Sequence, residues 1–110
     1  METATFEDLK RRLAKRFMDI LVLRLLSRES LWGYKLASRI EETYGVKAGP
    51  SVIYPLLRKL ERRSLIKSRR EKVAGERARL IYEVTEKGLQ CIEDYMDLLR
   101  SQLDSSDLAP

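Results

Sequence analysis

The sequence predicts a mainly α-helical fold with one small β-hairpin, and three observations lead to this prediction. Apolar residues recur at three- and four-residue spacing along most of the 110 residues, which is the period of amphipathic helices. Between residues 65 and 84 the pattern changes to two short extended runs joined by a charged loop. The chain has no internal repeat and no Gly/Ser-rich linker, so we expect residues 1–110 to form a single domain.

The first predicted element is one long helix over residues 6–27. Thr5 and Asp8 have the spacing of a capping box, which marks a helix start. The apolar residues that follow at helical spacing are Phe6, Leu9, Leu13, Phe17, Ile20 and Leu21. Residues 20–26 are apolar nearly all round, so we expect this half of the helix to lie at the centre of the fold.

A second helix is expected from Ser30 to Tyr44. Ser30 is a suitable N-terminal cap, and Gly45 can adopt the left-handed conformation that commonly ends a helix. A short turn containing Gly49 and Pro50 then leads to the third helix.

The third helix is expected to bury one face, since Ile53, Leu57 and Leu60 follow the i, i+4, i+7 spacing. Its basic residues must then spread over the remaining faces. Pro55 would remove a hydrogen bond inside a helix, and this is tolerable if the helix begins close to Ser51.

A hairpin and a last helix complete the predicted order of elements. Residues 65–67 and 80–84 are expected to form the two strands, and Thr85 is the expected cap of a helix over residues 85–103. The apolar residues of this helix keep alternating spacings of three and four, which is typical of helices that pair. They are Leu89, Ile92, Met96, Leu99 and Leu103.

Charge is distributed unevenly along the chain. The segment from Arg58 to Arg79 holds ten basic and three acidic side chains, a net charge of +7. Residues 1–85 carry a net charge of +9, whereas residues 86–110 carry −4. A surface built only for solubility would mix the two signs, so this separation favours a body that faces a polyanion and a C-terminal part with another role.

The composition excludes several classes of site. With one cysteine, Cys91, and no histidine, the chain can form neither an intrachain disulfide nor a zinc site of Cys and His ligands. No nucleophile–base pair and no Gly-rich phosphate loop has a telling spacing, so we expect no catalytic residue, no metal, no cofactor and no enzymatic activity. No apolar run approaches the roughly 18 residues that span a bilayer, and the N-terminus has acidic residues where a signal peptide is apolar, which predicts a cytoplasmic protein.

Three helices followed by a hairpin are the order of a winged helix-turn-helix, and three groups of residues resemble the PadR-like transcriptional regulators. Residues 33–36, GYKL, are similar to the family's Gly-Tyr-acidic-aliphatic pattern. Residues 49–60, GPSVIYPLLRKL, resemble its Ser-Pro-Gly-Thr-Leu-Tyr-Pro-Ala-Leu-x-x-Leu recognition-helix signature. Residues 82–88, YEVTEKG, resemble its Tyr-x-Leu-Thr-x-x-Gly junction between strand and helix. Ser64 stands where the family normally has a glycine at the end of the recognition helix.

The resemblance implies a winged helix-turn-helix DNA-binding domain plus a C-terminal dimerisation helix. It implies a homodimer of the short, single-C-terminal-helix branch, with two third helices in adjacent major grooves of a promoter. Regulators of that branch typically repress transporter or stress genes and release DNA when a ligand binds. The expected partners are therefore double-stranded DNA, a second copy of the chain and a small apolar effector.

The candidate site residues follow from this arrangement. We expect Ser51 and Tyr54 to bind phosphates near the start of the third helix, Arg58 or Lys59 to reach base edges or phosphates, and the wing to clamp the backbone or minor groove. The DNA-binding candidates are Ser51, Tyr54, Arg58, Lys59, Arg62, Arg63, Lys67, Arg69, Arg70, Lys72, Arg77 and Arg79. The dimer-interface candidates are Phe6, Leu9, Leu13, Leu89, Ile92, Met96, Leu99 and Leu103.

Several other interpretations fit the same residues. The basic residues of the first helix are more readily explained as a solvated face: Lys10, Arg11, Arg12, Lys15 and Arg16. Phe17, Trp32, Tyr95 and Met96 could line a drug-binding cavity between subunits, although such residues are more often core or dimer interface. A nonspecific architectural DNA-binding protein and a winged-helix adaptor that docks an acidic protein are the alternative functions.

Overall fold

A computed structural model describes residues 5–72, 74–75 and 77–104. Its elements, in chain order, are α1 (Phe6–Arg16), α2 (Met18–Arg28), β1 (Leu31–Trp32), α3 (Gly33–Tyr44), α4 (Pro50–Arg62), β2 (Ile66–Glu71), β3 (Arg79–Val84) and α5 (Glu86–Leu103). The strands form one antiparallel sheet in the order β1-β3-β2. The predicted fold class, mainly helical with a small hairpin in winged-helix order, is confirmed.

The hydrophobic core is built around α2, as its apolar sequence predicts. Five residues of α2 are buried: Ile20, Leu21, Val22, Leu23 and Leu26. They pack with the buried faces of α3 and α4 and with Leu31, Ile66 and Tyr82 of the sheet. Helices that surround a nearly all-apolar helix can each keep one polar face in water, which is the pattern of α3, α4 and α5.

The expected single helix over residues 6–27 is wrong, because it is broken at Phe17. The backbone of Phe17 (φ −117°, ψ 33°) ends α1 and begins α2. Its ring packs edge-on against Tyr95 of α5, with 5.5 Å between the ring centroids. Before the break, α1 lies against α2 and α3 and buries only Ala14, and the Thr5 capping box at its start is present as predicted. Helical periodicity continues across the break, so the pattern alone does not reveal it.

The expected Ser30 cap is also wrong, because α3 begins three residues later. Leu31 and Trp32 pair with Tyr82 and Ile81 of β3 and form the edge strand β1. This pairing satisfies backbone groups that a helix would otherwise use and buries Leu31 against the core. The sheet therefore has three strands where two were expected.

The end of α3 and the start of α4 lie where the sequence predicts them. Gly45 ends α3 in the left-handed conformation with φ 68°. Gly49 caps α4, and Pro50 occupies the first helical position, where no backbone N–H is needed. Pro55 is the sixth residue of α4 and lies beyond its first turn, so the helix continues without the hydrogen bond that an N–H at this position would donate to the Ser51 carbonyl.

Helix α4 ends in a tight turn at Ser64. Ser64 has φ 62°, and its N–H donates to the carbonyl of Glu61 at 2.9 Å. The N–H of Leu65 donates to the carbonyl of Leu60 at 3.0 Å, which closes the turn as in a Schellman motif. The left-handed region favours glycine over an L-residue such as serine.

We expect Ser64→Gly to stabilise the protein by about 0.5–1 kcal/mol, since it removes the steric cost of a left-handed L-residue. The measurement is urea unfolding at one fixed protein concentration, in which the midpoint should rise at unchanged slope. A lower midpoint would mean that the Ser64 side chain stabilises the protein by more than the glycine gains from an unstrained left-handed backbone.

The end of α4 is fastened to the start of α5. The Thr85 hydroxyl donates to the Ser64 carbonyl at 2.6 Å, and the Lys87 ammonium donates to the Arg63 carbonyl at 2.9 Å. The Thr85 N–H donates to the carbonyl of Leu65 at 3.1 Å. We call these bonds between residues 63–65 and residues 85 and 87 the α4–α5 joint. They fix the direction in which α5 leaves the winged-helix domain.

Candidate nucleic-acid interface

Helix α4 separates its apolar and polar residues onto opposite sides. Ile53, Leu57 and Leu60 are buried in the core. On the opposite side, spacings of four, three and four residues place one exposed stripe along the helix. This stripe consists of Ser51, Pro55, Arg58 and Arg62. The helix therefore presents two guanidinium groups, four residues apart, along the side farthest from the core.

Lys59 and Arg63 are exposed on a flank of α4, one helical turn apart, rather than on this stripe. Val52 lies on the same flank and is also exposed. Arg63 caps the helix and contributes its carbonyl to the α4–α5 joint. Of the four basic candidates on α4, Arg58 and Arg62 project most directly away from the protein.

Tyr54 connects α4 to the start of α3. Its side chain is 40% exposed, and its ring lies directly over Gly33. A Cβ at residue 33 would stand 2.8 Å from the Tyr54 hydroxyl oxygen, so any other residue there would require the Tyr54 ring to shift. This contact gives a physical reason for the glycine that opens the GYKL segment. Tyr54 is therefore a packing residue of the helix-turn-helix as well as a surface hydroxyl near the helix start.

The register of β2 and β3 assigns the wing residues to two faces. Ile66 pairs with Val84 and the pairing continues to Glu71 with Arg79, so alternate residues share a face. The face toward α4 carries Ser68, whose hydroxyl donates to Glu61 of α4 at 2.7 Å. Arg70 is exposed on that face farther along the hairpin, beyond this contact. Lys72 and Arg77 are exposed in the connection between the strands.

Arg69 lies on the other face of the wing, between two carboxylates. Its guanidinium donates to Glu83 at 2.8 Å and to Glu71 at 2.9 Å. The hydrogen bond from Arg69 holds the pKa of Glu83 below its usual value, and the same two acids raise the pKa of Arg69. This arrangement favours a structural role for Arg69 in the hairpin over the expected backbone clamp. Lys67 shares this face, opposite Glu83.

Arg79 stacks on an aromatic pair that sequence reasoning did not connect with the wing. Its guanidinium carbon lies 4.3 Å from the centroid of the Trp32 ring, and Trp32 contacts Tyr34 with 5.4 Å between ring centroids. Cation–π stacking helps to hold a guanidinium in place over an aromatic ring. Trp32 therefore belongs to the base of the wing.

Tyr82 lies between the wing and α4. It is buried, and this burial raises the pKa of its hydroxyl above the ordinary value, with Glu61 adding to the shift. Arg58 is close enough to oppose that shift. The inner side of the wing and the exposed stripe of α4 are thus neighbouring surfaces.

The dimer-interface candidates lie on two helices and differ in burial. Three of α1 are exposed, namely Phe6, Leu9 and Leu13. On α5, Leu89, Leu99 and Leu103 are exposed, whereas Met96 is half-buried and Ile92 packs partly against the core of its own chain. These two helices hold most of the exposed large aliphatic side chains of the described residues.

A groove of about 380 Å³ runs along a different side of α5. Leu65, Cys91, Tyr95 and Leu98 supply apolar walls, and Lys87 and Asp94 are at its edges. The small apolar effector stays a prediction, for which this groove offers a place to bind.

Two basic residues of α1 are engaged by neighbouring acids. Lys10 pairs with Glu7 at 3.2 Å, and Arg11 pairs with Asp8. Hydrogen bonds from Thr5 hold the pKa of Asp8 below its usual value. These short-range pairs agree with the solvated-face interpretation of α1.

Within residues 5–72, 74–75 and 77–104, no helix is long and apolar enough to cross a membrane. The same residues contain no group of three or more Cys, Asp or Glu side chains placed to hold a metal ion.

Comparisons with known proteins agree on one family. The Transcriptional regulator PadR-like family matches residues 22–94. A PadR family regulator of Clostridium difficile shares 26% identity over 76% of this chain and 88% of that one, with a TM-score of 0.70. A PadR family regulator of Eggerthella lenta shares 28% identity over 84% and 80% of the two chains, with a TM-score of 0.74.

A third solved structure is that of Bacillus subtilis PadR in complex with operator DNA. It shares 30% identity over 74% of this chain but only 47% of its own length, with a TM-score of 0.67. No curated protein matches the sequence. The family match extends from α2 into α5 and covers well over half of the chain. Members of the family are transcriptional regulators, which agrees with the expectation that this protein is not an enzyme. The chain belongs to the PadR-like family of transcriptional regulators.

Proposed function

We propose that the protein is a homodimeric repressor that binds an inverted-repeat operator in double-stranded DNA. The observation that carries this proposal is the exposed stripe of α4, with Arg58 and Arg62 opposite the buried face and a basic wing beside it. A helix with this division of residues can enter a major groove while its other face stays in the core.

The parts of the interface have different roles in this proposal. Ser51 and the first backbone N–H groups of α4 bind phosphate at the edge of the groove. Arg58 and Arg62 reach base edges or phosphates within it. Arg70, Lys72 and Arg77 bind the backbone or the neighbouring minor groove, where narrow sequences attract arginine. A relative, Bacillus subtilis PadR, has been solved in complex with operator DNA, which supports operator DNA as the partner of this protein.

A homodimer is supported by the apolar surface that the single chain leaves uncovered. Phe6 and Leu103 are 73% and 78% exposed, and Leu9, Leu13 and Leu99 add to this surface. The radius of gyration is 16.3 Å, compared with about 13 Å for a compact domain of this length. Burying these side chains against a second copy would remove them from water and would place two copies of α4 on one side of a duplex.

The replacement of Leu99 and Leu103 by glutamate is expected to convert the dimer to a folded monomer. Two carboxylates in the interface would have to be buried without partners, so the dimer dissociation constant should rise by at least about 100-fold. Sedimentation equilibrium measures it. The matched control is Leu98→Glu, which lies on the same helix beside the groove rather than in the Leu89–Leu103 series. A wild-type protein that is monomeric at micromolar concentration would refute the homodimer.

The experiment that tests the proposed function is a selection of random duplexes against the purified protein. It is performed at about 0.15 M salt, which suppresses purely electrostatic binding. We expect an enriched palindrome with half-sites about one helical turn apart. Tight binding at low salt without any enriched sequence would favour the architectural protein, and no binding at all would favour the protein-docking adaptor. A promoter carrying the palindrome, fused to a reporter, should be less active when the protein is present.

A further inference from the structure

Val52 is an apolar residue on the exposed part of α4. It is the third residue of the helix, after the Gly49 cap and after Pro50 and Ser51. It is 49% exposed, and it lies outside the hydrophobic core to which α4 contributes its buried face. Packing of the core therefore does not account for a branched aliphatic side chain at this position.

The start of the helix does not account for a valine either. The third position of a helix favours a side chain that can accept a hydrogen bond from the cap, and acids in the first turn complement the helix dipole. The helices α1 and α5 have such acids, Asp8 and Glu86, whereas α4 has no acidic residue in its first turn. A β-branched residue also loses rotamer freedom in a helix. Val52 is thus an unfavourable choice for α4 as a helix, and the first turn is free of the charges that would repel a polyanion.

The two flanks of α4 differ in what covers them. The flank that carries Glu61 faces the wing, since the Ser68 hydroxyl of β2 donates to Glu61 at 2.7 Å. Val52 lies on the opposite flank together with the exposed Lys59, two helical turns away. An α-helix with its side chains is about 10–12 Å across, and a major groove is about 12 Å wide. A helix seated in the groove therefore brings an open flank of its first turns close to base edges, as well as its outermost stripe.

A major groove offers one apolar group on its base edges, the C5-methyl group of thymine. The valine side chain can neither donate nor accept a hydrogen bond, so it cannot read the donor and acceptor pattern of a base pair. We propose that the γ-methyl groups of Val52 contact the C5-methyl group of one thymine in each half-site of the operator. Val52 is then a specificity-determining residue that acts beside the arginines of the exposed stripe. The inference rests on the proposed function, because it requires α4 to lie in the major groove.

Deoxyuridine in place of thymine removes this methyl group and leaves the hydrogen-bonding groups of the base pair unchanged. The probe is a fluorescein-labelled duplex of about two helical turns that carries the selected palindrome. Each thymine is replaced in turn, together with its symmetry mate in the other half-site, and anisotropy measures the affinity. At one such pair we expect the wild type to bind at least about tenfold more weakly, since burial of each methyl-sized group contributes about fourfold.

Val52→Ala tests whether Val52 makes this contact. The variant should bind the thymine duplex more weakly by a similar factor, and the same uracil pair should then change its affinity by less than about twofold. The matched control is Leu80→Ala, which truncates another exposed aliphatic side chain, on β3. It should keep the full wild-type sensitivity to uracil. Far-UV circular dichroism and the Tm of each variant confirm that it is folded.

The outcomes separate failure of this contact from failure of the proposed function. A selected palindrome that is bound without loss when any of its thymines is replaced would overturn the contact and leave DNA binding in place. Equal sensitivity to uracil in the wild type and in Val52→Ala would assign the effect to DNA shape and would also overturn it. Loss of that sensitivity in Leu80→Ala would place the methyl group at the wing instead. No anisotropy change with any duplex would refute both proposals.

Discussion

Reversal of the charges of Arg58 and Arg62 to glutamate is expected to weaken operator binding by at least about 100-fold at 0.15 M salt. Both side chains lie on the exposed stripe of α4, opposite the buried Ile53, Leu57 and Leu60. Each substitution removes an attractive contact with the duplex and adds a repulsive one. A single good arginine contact contributes about 1–3 kcal/mol to binding. The free energy lost by reversing two of them is therefore larger than the remaining contacts can compensate.

Fluorescence anisotropy at several salt concentrations measures this effect. The slope of log K against log salt should fall by about two if both arginines neutralise phosphates, and by less if one of them reads bases. The matched control is Arg12→Glu with Lys15→Glu, which makes the same change in net charge on exposed positions of α1. Retained operator binding by the α4 double variant would rule out α4 as the recognition helix.

The same double substitution should leave the fold intact. Arg58 and Arg62 are exposed, so the substitution uncovers no core surface. A glutamate in the last turn of a helix opposes the helix dipole and costs about 0.3–1 kcal/mol. We therefore expect Tm to fall by no more than about 5 °C. A glutamine pair at the same positions lacks the repulsion and should lose only about tenfold in affinity, which separates lost contacts from added repulsion.

The helix faces could be predicted from the sequence because they depend on local periodicity. The buried residues of α4 determine which side of the helix faces away from the core, and helical spacing alone then identifies the basic residues on that exposed side. The left-handed Gly45 and the Thr85 cap of α5 were also expected, and both are present. These features need only the few residues around them, so one sequence is enough to identify them.

The features that sequence reasoning missed depend on contacts between distant residues. The break at Phe17 accompanies its packing against Tyr95 of α5. β1 exists because Leu31 and Trp32 find the free edge of β3, about fifty residues later in the chain. For the same reason the ion pairs of Arg69 could not be anticipated, since the register of the hairpin decides which acid lies opposite which base.

The substitution Gly88→Ala is expected to destabilise the protein by about 3 kcal/mol, although alanine is the better helix former by about 1 kcal/mol. A Cβ at residue 88 would stand 2.2 Å from the carbonyl oxygen of Leu65 and 2.6 Å from a methyl carbon of Val84. The Leu65 carbonyl cannot simply move away, because it accepts the hydrogen bond from the Thr85 N–H that belongs to the α4–α5 joint. The added methyl group must therefore either strain the backbone of the α4–α5 joint or push α5 away from α4.

Urea unfolding at fixed protein concentration measures the loss, and Gly49→Ala is the matched control. A Cβ at residue 49 would meet no atom within 4 Å, and the φ of Gly49 is negative. Its replacement should therefore cost no more than about 1 kcal/mol, the usual difference between glycine and alanine at a helix cap. An unchanged midpoint for Gly88→Ala would show that the α4–α5 joint accommodates the added methyl group without loss of stability.

The position of Gly88 also connects this substitution with DNA binding. Gly88 lies where the candidate dimer helix α5 meets the end of α4, so we expect a variant that stays folded to relieve the contact by tilting α5. In a dimer held through α5 such a tilt would move the two recognition helices off adjacent grooves. We therefore expect folded Gly88→Ala dimers to bind the palindrome at least about tenfold more weakly than the wild type, with normal binding to an isolated half-site.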